Sequence, residues 1–140
     1  WHINRTLDFQ QMVDWNIERF AENSYFFNPE FRSSFQDVVS FLQRAGKLHM
    51  VSLEIKGRLA AVDISAVHNN TCTFFAGGTN HDYPGISKVI NMLHIETAFR
   101  KKIARLDFLC GDFHWKKLWH LDEAPLYQYV SPDLRRKMVA

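Results

Sequence analysis

The chain has 140 residues, a mass of 16.5 kDa, 46% hydrophobic and 23% charged residues, and a formal net charge of +2. That length suits one domain able to bury roughly 70% of its unfolded surface, and the composition excludes a disordered, collagen-like or coiled-coil chain. No run approaches the ~18–20 apolar residues of a helical membrane span, and a pI near 8.6 is too mild for a dedicated nucleic-acid binder.

From Asp8 to about Asn23, Met12, Val13, Ile17 and Phe20 line one face at helical spacing. Asn28-Pro29 opens a second helix with a cap-then-proline signal; its stripe is Phe31, Phe35, Val38, Val39 and Leu42, and Gly46 stops it. The period then changes. Leu48–Ile55 and Leu59–Val67 are rich in β-formers and flank the Lys56-Gly57 turn, and Asn69-Asn70 leads into a third strand over Thr71–Gly78. The three make an antiparallel meander. A polar loop ending in Tyr83-Pro84-Gly85 precedes a helix beginning with Ile86, Val89, Ile90 and Leu93, which closes on Arg100-Lys101-Lys102, where cations suit the helix dipole. Leu106–Cys110 is a short strand entering the sheet parallel to its predecessor. Phe113–Trp119 reads as a short helix and Leu126–Val130 as a last strand. The order predicts an α/β fold with a mixed, mostly antiparallel sheet flanked by helices.

Cys72 and Cys110 are isolated, which argues against a disulfide framework and for a reduced, cytoplasmic setting. The first residues lack the apolar core of a signal peptide. The chain starts at Trp1 rather than Met, which suggests a fragment of a longer, two-domain protein. The seven histidines show no metal-ligand spacing, so no metal is expected. His94-Ile95-Glu96 fits half of the deaminase signature, but no Pro-Cys-x-x-Cys follows.

Two segments carry a family resemblance. Thr73-Phe74-Phe75-Ala76-Gly77-Gly78 followed by Tyr83-Pro84-Gly85-Ile86, and Leu106-Asp107-Phe108-Leu109-Cys110-Gly111-Asp112-Phe113-His114-Trp115-Lys116-Lys117-Leu118-Trp119, resemble the two signatures of the CelD-like branch of the GNAT acyltransferases. The resemblance runs from about Lys47 to Val130. It implies one domain over residues 1–140, with 1–46 a helical lead-in and 47–130 the sheet and cofactor helix. It also implies an N-acyltransferase that takes an acyl group from acetyl-CoA or another acyl-CoA. The acceptor would be a small-molecule amine on a sugar, amino compound or envelope precursor.

The residues themselves suit that chemistry. A helix N-terminus offers unpaired N–H groups and partial positive charge to a pyrophosphate. Gly78, Tyr83, Gly85, Ile86, Ser87 and Lys88 are therefore the cofactor-binding candidates; only Gly85 stands where other GNAT enzymes have a glycine-rich loop. Gly77-Gly78 would either splay the sheet for a pantetheine arm or form a bulge. Acyl transfer needs a neutral amine and a stabilised oxyanion. Asp112 could take the proton and Lys116 stabilise the oxyanion or a phosphate, with His81, Trp115 and Trp119 against the substrate. Asp112 and Lys116 are also spaced as a helix cap and an i,i+4 ion pair.

Two alternatives stay open. The FemABX peptidyltransferases share the fold in two tandem halves and take an aminoacyl group from tRNA; the basic clusters at Arg100-Lys101-Lys102, Lys116-Lys117 and Arg135-Arg136-Lys137 suit a half of that kind. The other alternative is a non-catalytic domain packed on a missing N-terminal GNAT-like half.

Overall fold

The computed structural model describes residues 1–111 and 114–127. It divides into two units, Trp1–Leu109 and Cys110–Ala140. The first unit holds a five-stranded sheet in the order β1 (His2–Ile3), β2 (Leu48–Ile55), β3 (Arg58–His68), β4 (Thr71–Thr79) and β5 (Arg105–Asp107). All neighbours are antiparallel except β4 and β5, which are parallel. Helices α1 (Phe9–Phe20), α2 (Pro29–Arg44) and α3 (Ile86–Lys101) complete this unit. The mixed α/β class predicted from the element order is therefore the class observed.

The helices start and stop where local chemistry dictates. Asn28 caps α2 by accepting hydrogen bonds from Glu30 N (2.8 Å) and Phe31 N (3.2 Å), and Pro29 occupies the first turn. Gly46 turns the chain out at φ +63°, while Lys47 N reaches back to Leu42 O at 2.9 Å. Helix α1 ends at Phe20 rather than at Asn23, because Ala21 takes φ 47° and two short 3₁₀ turns follow. Phe20 is consequently 45% exposed instead of lying on the buried face. Phe9, Trp15 and Phe26 are buried, whereas Tyr25 and Phe27 are exposed.

Both hairpin turns place two consecutive residues at positive φ, Lys56-Gly57 and Asn69-Asn70. That geometry matches the twist of the flanking strands. The core has two layers. Met12, Val13, Trp15 and Val39 pack with Leu48, Met50, Val62 and Ile64 on one face of the sheet. Ile86 and Ile90 of α3 pack with Val51, Ala60 and Ala61.

Strand β1 has no signal in the sequence. It exists because Asn4 extends a two-residue pairing: its side chain accepts from Met50 N (2.8 Å) and donates to Leu48 O (3.0 Å). Strand β5 is shorter than the expected Leu106–Cys110; the Asp107 carboxylate accepts from Leu109 N (2.8 Å) and Leu109 turns to φ 55°, which ends it. Among its described residues the second unit has one short helix, α4 (His114–Lys117), inside the expected Phe113–Trp119, with Phe113 outside the described residues. Leu126 and Tyr127 form no strand, and 128–130 also lie outside the described residues. Among the described residues no helix is long and apolar enough to cross a membrane.

Candidate functional site

Strands β4 and β5 pair only at Thr71↔Arg105, Cys72↔Leu106 and Thr73↔Asp107. Beyond Thr73 the edge of β4 has no strand beside it among the described residues. The Phe74 and Phe108 rings stack where the two strands part, 4.6 Å between centroids and 10° between planes. The β3–β4 register then slips by one residue, Ile64↔Ala76 against Ser65↔Phe74, so Phe75 is a bulge.

The ladder fixes which groups face the open edge. Asn80 N donates to Ala60 O (2.9 Å), which makes Thr79↔Ala61 and Asp63↔Gly77 the non-hydrogen-bonded pairs. The N–H and C=O of Gly77 and Thr79 therefore point away from β3. Consistent with this, Gly77 O is met by Asn16 Nδ2 of α1 at 2.8 Å, and Asn16 is itself held by Ser24 Oγ at 2.7 Å. Two backbone N–H donors thus line an open strand edge.

At the end of that edge lies a cavity of about 460 Å³ between α1 and the β4–α3 loop. Of the predicted site residues His81, Tyr83, Gly85 and Ser87 line it; Trp15, Glu18, Arg19 and Asn80 join them. Asn80 shapes the loop by accepting from Asp82 N (2.9 Å), Tyr83 N closes onto Asn80 O (3.2 Å), and Ile86 N onto Tyr83 O (3.1 Å). Gly85 is the N-cap of α3 at φ 82°, a left-handed conformation that favours glycine, and no side chain caps the helix there. The positive end of α3 and the Arg19 guanidinium, 3.4 Å from Thr79 Oγ1, give the cavity an anion-attracting end. The carboxylate of Glu18 is taken up by His81 Nδ1 at 3.3 Å.

The remaining cofactor candidates sit differently. Ile86 is buried in the core under α3, Lys88 is exposed outside the cavity lining, and Gly78 is buried against α1. A Cβ at Gly78 would overlap Met12 O and lie 3.0 Å from Met12 Cα, so the missing side chain admits the helix backbone to the strand. In the second unit Lys116 Nζ donates to Cys110 O (3.2 Å) and lies 5.9 Å from the centre of the Trp115 ring. Trp115 is 37% exposed and Trp119 half-buried. Asp112 lies outside the described residues. Among the described residues no three acidic, histidine or cysteine side chains gather as a metal site.

Beneath α3 the structure assembles a polar network that periodicity does not reveal. His94 Nε2 meets Asp63 Oδ2 at 3.1 Å, and the His94 ring packs edge-on to Phe74 at 4.6 Å. His49 Nδ1 lies 3.2 Å from Ser65 Oγ, which donates to His49 O (2.6 Å) and accepts from the buried Cys72 thiol (3.4 Å). Burial first, then the neighbouring His94 and Lys101, push the His49 pKa down to about 4. Burial pushes the Cys72 thiol up, which keeps it protonated and poorly nucleophilic.

A family model described as an acetyltransferase (GNAT) domain matches residues 3–117. No sequence among the curated proteins matches the chain. Solved structures share the fold at low identity. A predicted acetyltransferase of Clostridium acetobutylicum, solved with acetyl-CoA, superposes with a TM-score of 0.65 at 10% identity, over 93% of this chain and 94% of its own. A GCN5-related N-acetyltransferase from Ralstonia eutropha gives 0.65 at 12%, over 94% and 95%. The ribosomal-protein-S18-alanine N-acetyltransferase of Escherichia coli gives 0.59 at 17%, over 85% and 72%. A family match across most of the sequence, on the sheet that these enzymes share, places this chain in the acetyltransferase (GNAT) domain family.

Proposed function

We propose that the protein is an acyl-CoA-dependent N-acyltransferase of the CelD-like branch, moving an acetyl or other acyl group to an amine on a sugar, amino compound or envelope precursor. The observation that carries this reading is the cavity at the N-terminus of α3, continuous in sequence with a strand edge that has no strand beside it among the described residues. The donor's pyrophosphate would take the α3 N-terminus with Gly85, Ser87 and Arg19, with Tyr83 flanking it and Lys88 adding charge from outside. Its pantetheine arm would run along β4, where the Gly77 and Thr79 N–H groups, pointing away from β3, would bond its amides and the acyl carbonyl. His81 at the cavity mouth is the acceptor-side contact in the same unit. Asp112, Lys116, Trp115 and Trp119 remain candidates for proton transfer, charge stabilisation and substrate contact. Gly78 serves the donor site indirectly by seating α1 against β4. A cytoplasmic, reducing setting fits two free cysteines, one buried and one exposed.

The test is release of coenzyme A thiol from acetyl-CoA in the presence of glucosamine, lysine and spermidine. The reading expects one amine class to raise release well above the rate in buffer. Binding of aminoacyl-tRNA with steep salt dependence, and no thiol release with any amine, would move the activity to aminoacyl transfer.

A further inference from the structure

Gly77 has a second consequence besides its place on the open edge. A Cβ there would overlap Asp63 Oδ1, so the Asp63 carboxylate lies directly over the glycine, on the α3 face of the sheet. Its other oxygen is held by His94 Nε2 at 3.1 Å. The two partners differ sharply in exposure: the His94 side chain is 1% exposed and that of Asp63 17%. One carboxylate oxygen is therefore anchored in the interior while the carboxylate keeps access to solvent over Gly77.

An ion pair whose only task is to tie α3 to β3 needs no such opening. A buried imidazole that fixes one oxygen of a carboxylate, leaving the other over the residue whose N–H would hold the acyl carbonyl, is the arrangement of a proton acceptor and its orienting partner. We propose that Asp63 accepts the proton of the incoming primary amine and that His94 is its positioning residue. The inference rests on the acyl-transfer reading above and adds to it the group that makes the amine nucleophilic.

The ammonium of the incoming amine first gives one proton to Asp63 Oδ1, and the neutral nitrogen then attacks the thioester carbonyl carbon and forms the N–C bond. The carbonyl oxygen, negative in the tetrahedral intermediate, is held by the Gly77 N–H. The C–S bond then breaks, the coenzyme A thiolate leaves with the electron pair and takes the second proton from the attacking nitrogen, and Asp63, which is 17% exposed, returns its proton to solvent. His94 keeps its Nε2–H on Oδ2 throughout, and among the described residues its buried Nδ1 has no hydrogen-bond partner.

The experiment compares wild type with Asp63→Asn, which preserves shape, using acetyl-CoA and two small probes that need no acceptor pocket. Methylamine is protonated at neutral pH and must lose a proton; hydroxylamine is already neutral. Asp63→Asn should slow methylamine-dependent thiol release about 100-fold or more. Hydroxylamine-dependent release should fall much less, and acetyl-CoA affinity by calorimetry should stay within a few-fold. His94→Gln, whose side-chain amide can donate to Asp63, should retain most of the methylamine rate, and His94→Leu should lose it in kcat rather than KM. Asp63→Asn that binds acetyl-CoA and reacts with methylamine at the wild-type rate overturns the inference, as does a wild type that binds acetyl-CoA and reacts with neither probe. A wild type that does not bind acetyl-CoA instead fails the acyl-CoA reading, and the inference falls with it.

Discussion

Acid should destabilise this protein through His49, and the size of the effect can be worked out. Burial under α3, with His94 and Lys101 nearby, lowers the His49 pKa from 6.5 to about 4. In the unfolded chain the imidazole takes up a proton as pH falls through 6.5, while the folded chain resists until about 4. The unfolded state thus binds more protons across that window, and stability present above pH 6.5 is lost on the way down. With 1.36 kcal/mol per pKa unit, the contribution lost is about 2 kcal/mol by pH 5 and about 3 kcal/mol by pH 4. Other groups also titrate in acid, so the comparison is with His49→Asn. That side chain can still donate to Ser65 Oγ but carries no titrating nitrogen. Urea unfolding at intervals from pH 7 to 4 should show the two stability curves converging from above, or crossing, by about 3 kcal/mol. Parallel curves would mean that His49 titrates alike in both states, and the sealed network beneath α3 would be wrong.

Gly78→Ala should cost about 1–3 kcal/mol in urea unfolding, because the new methyl meets the α1 backbone at Met12 rather than a yielding side chain. Asn28→Ala, which strips the α2 cap of two acceptor contacts, should cost about 1 kcal/mol in the same assay while leaving acetyl-CoA affinity unchanged.

How much of this was legible in the sequence varies by element, for physical reasons. Helix α2 and the hairpins announce themselves through Asn28-Pro29, Lys56-Gly57 and Asn69-Asn70, whose conformational preferences are local. Strand β1 is invisible because a single side chain, Asn4, substitutes for pairing that a longer strand would make itself. The face of α3 cannot be read from spacing. Apolar and polar residues are mixed around the helix, and Val89, Met92 and Phe99 are exposed while His94 and Thr97 are buried. Nothing in the strand pattern marks His49, Asp63 and Ser65 as the residues that meet one another and His94 beneath α3. Gly85 and the loop before it were legible because a left-handed N-cap favours glycine. Arg19 was not, since a charge at the end of an amphipathic helix looks like any solvated residue until the β4–α3 loop folds beside it. The glycine pair was half legible: its place at the strand end was clear, but only the packing of Met12 and Asp63 shows that each glycine admits a different neighbour.

The most direct test of the account is a calorimetric titration of the folded chain with acetyl-CoA, repeated with Gly85→Val. The glycine sits at φ 82° with nothing within 4 Å of its missing Cβ, so valine both strains the cap and intrudes on the cavity. The account predicts micromolar binding to the wild type and a loss of at least about tenfold, or 1.4 kcal/mol, in the variant. A folded wild type that gives no binding, or a variant that binds as tightly as the wild type, would contradict a donor site at the start of α3.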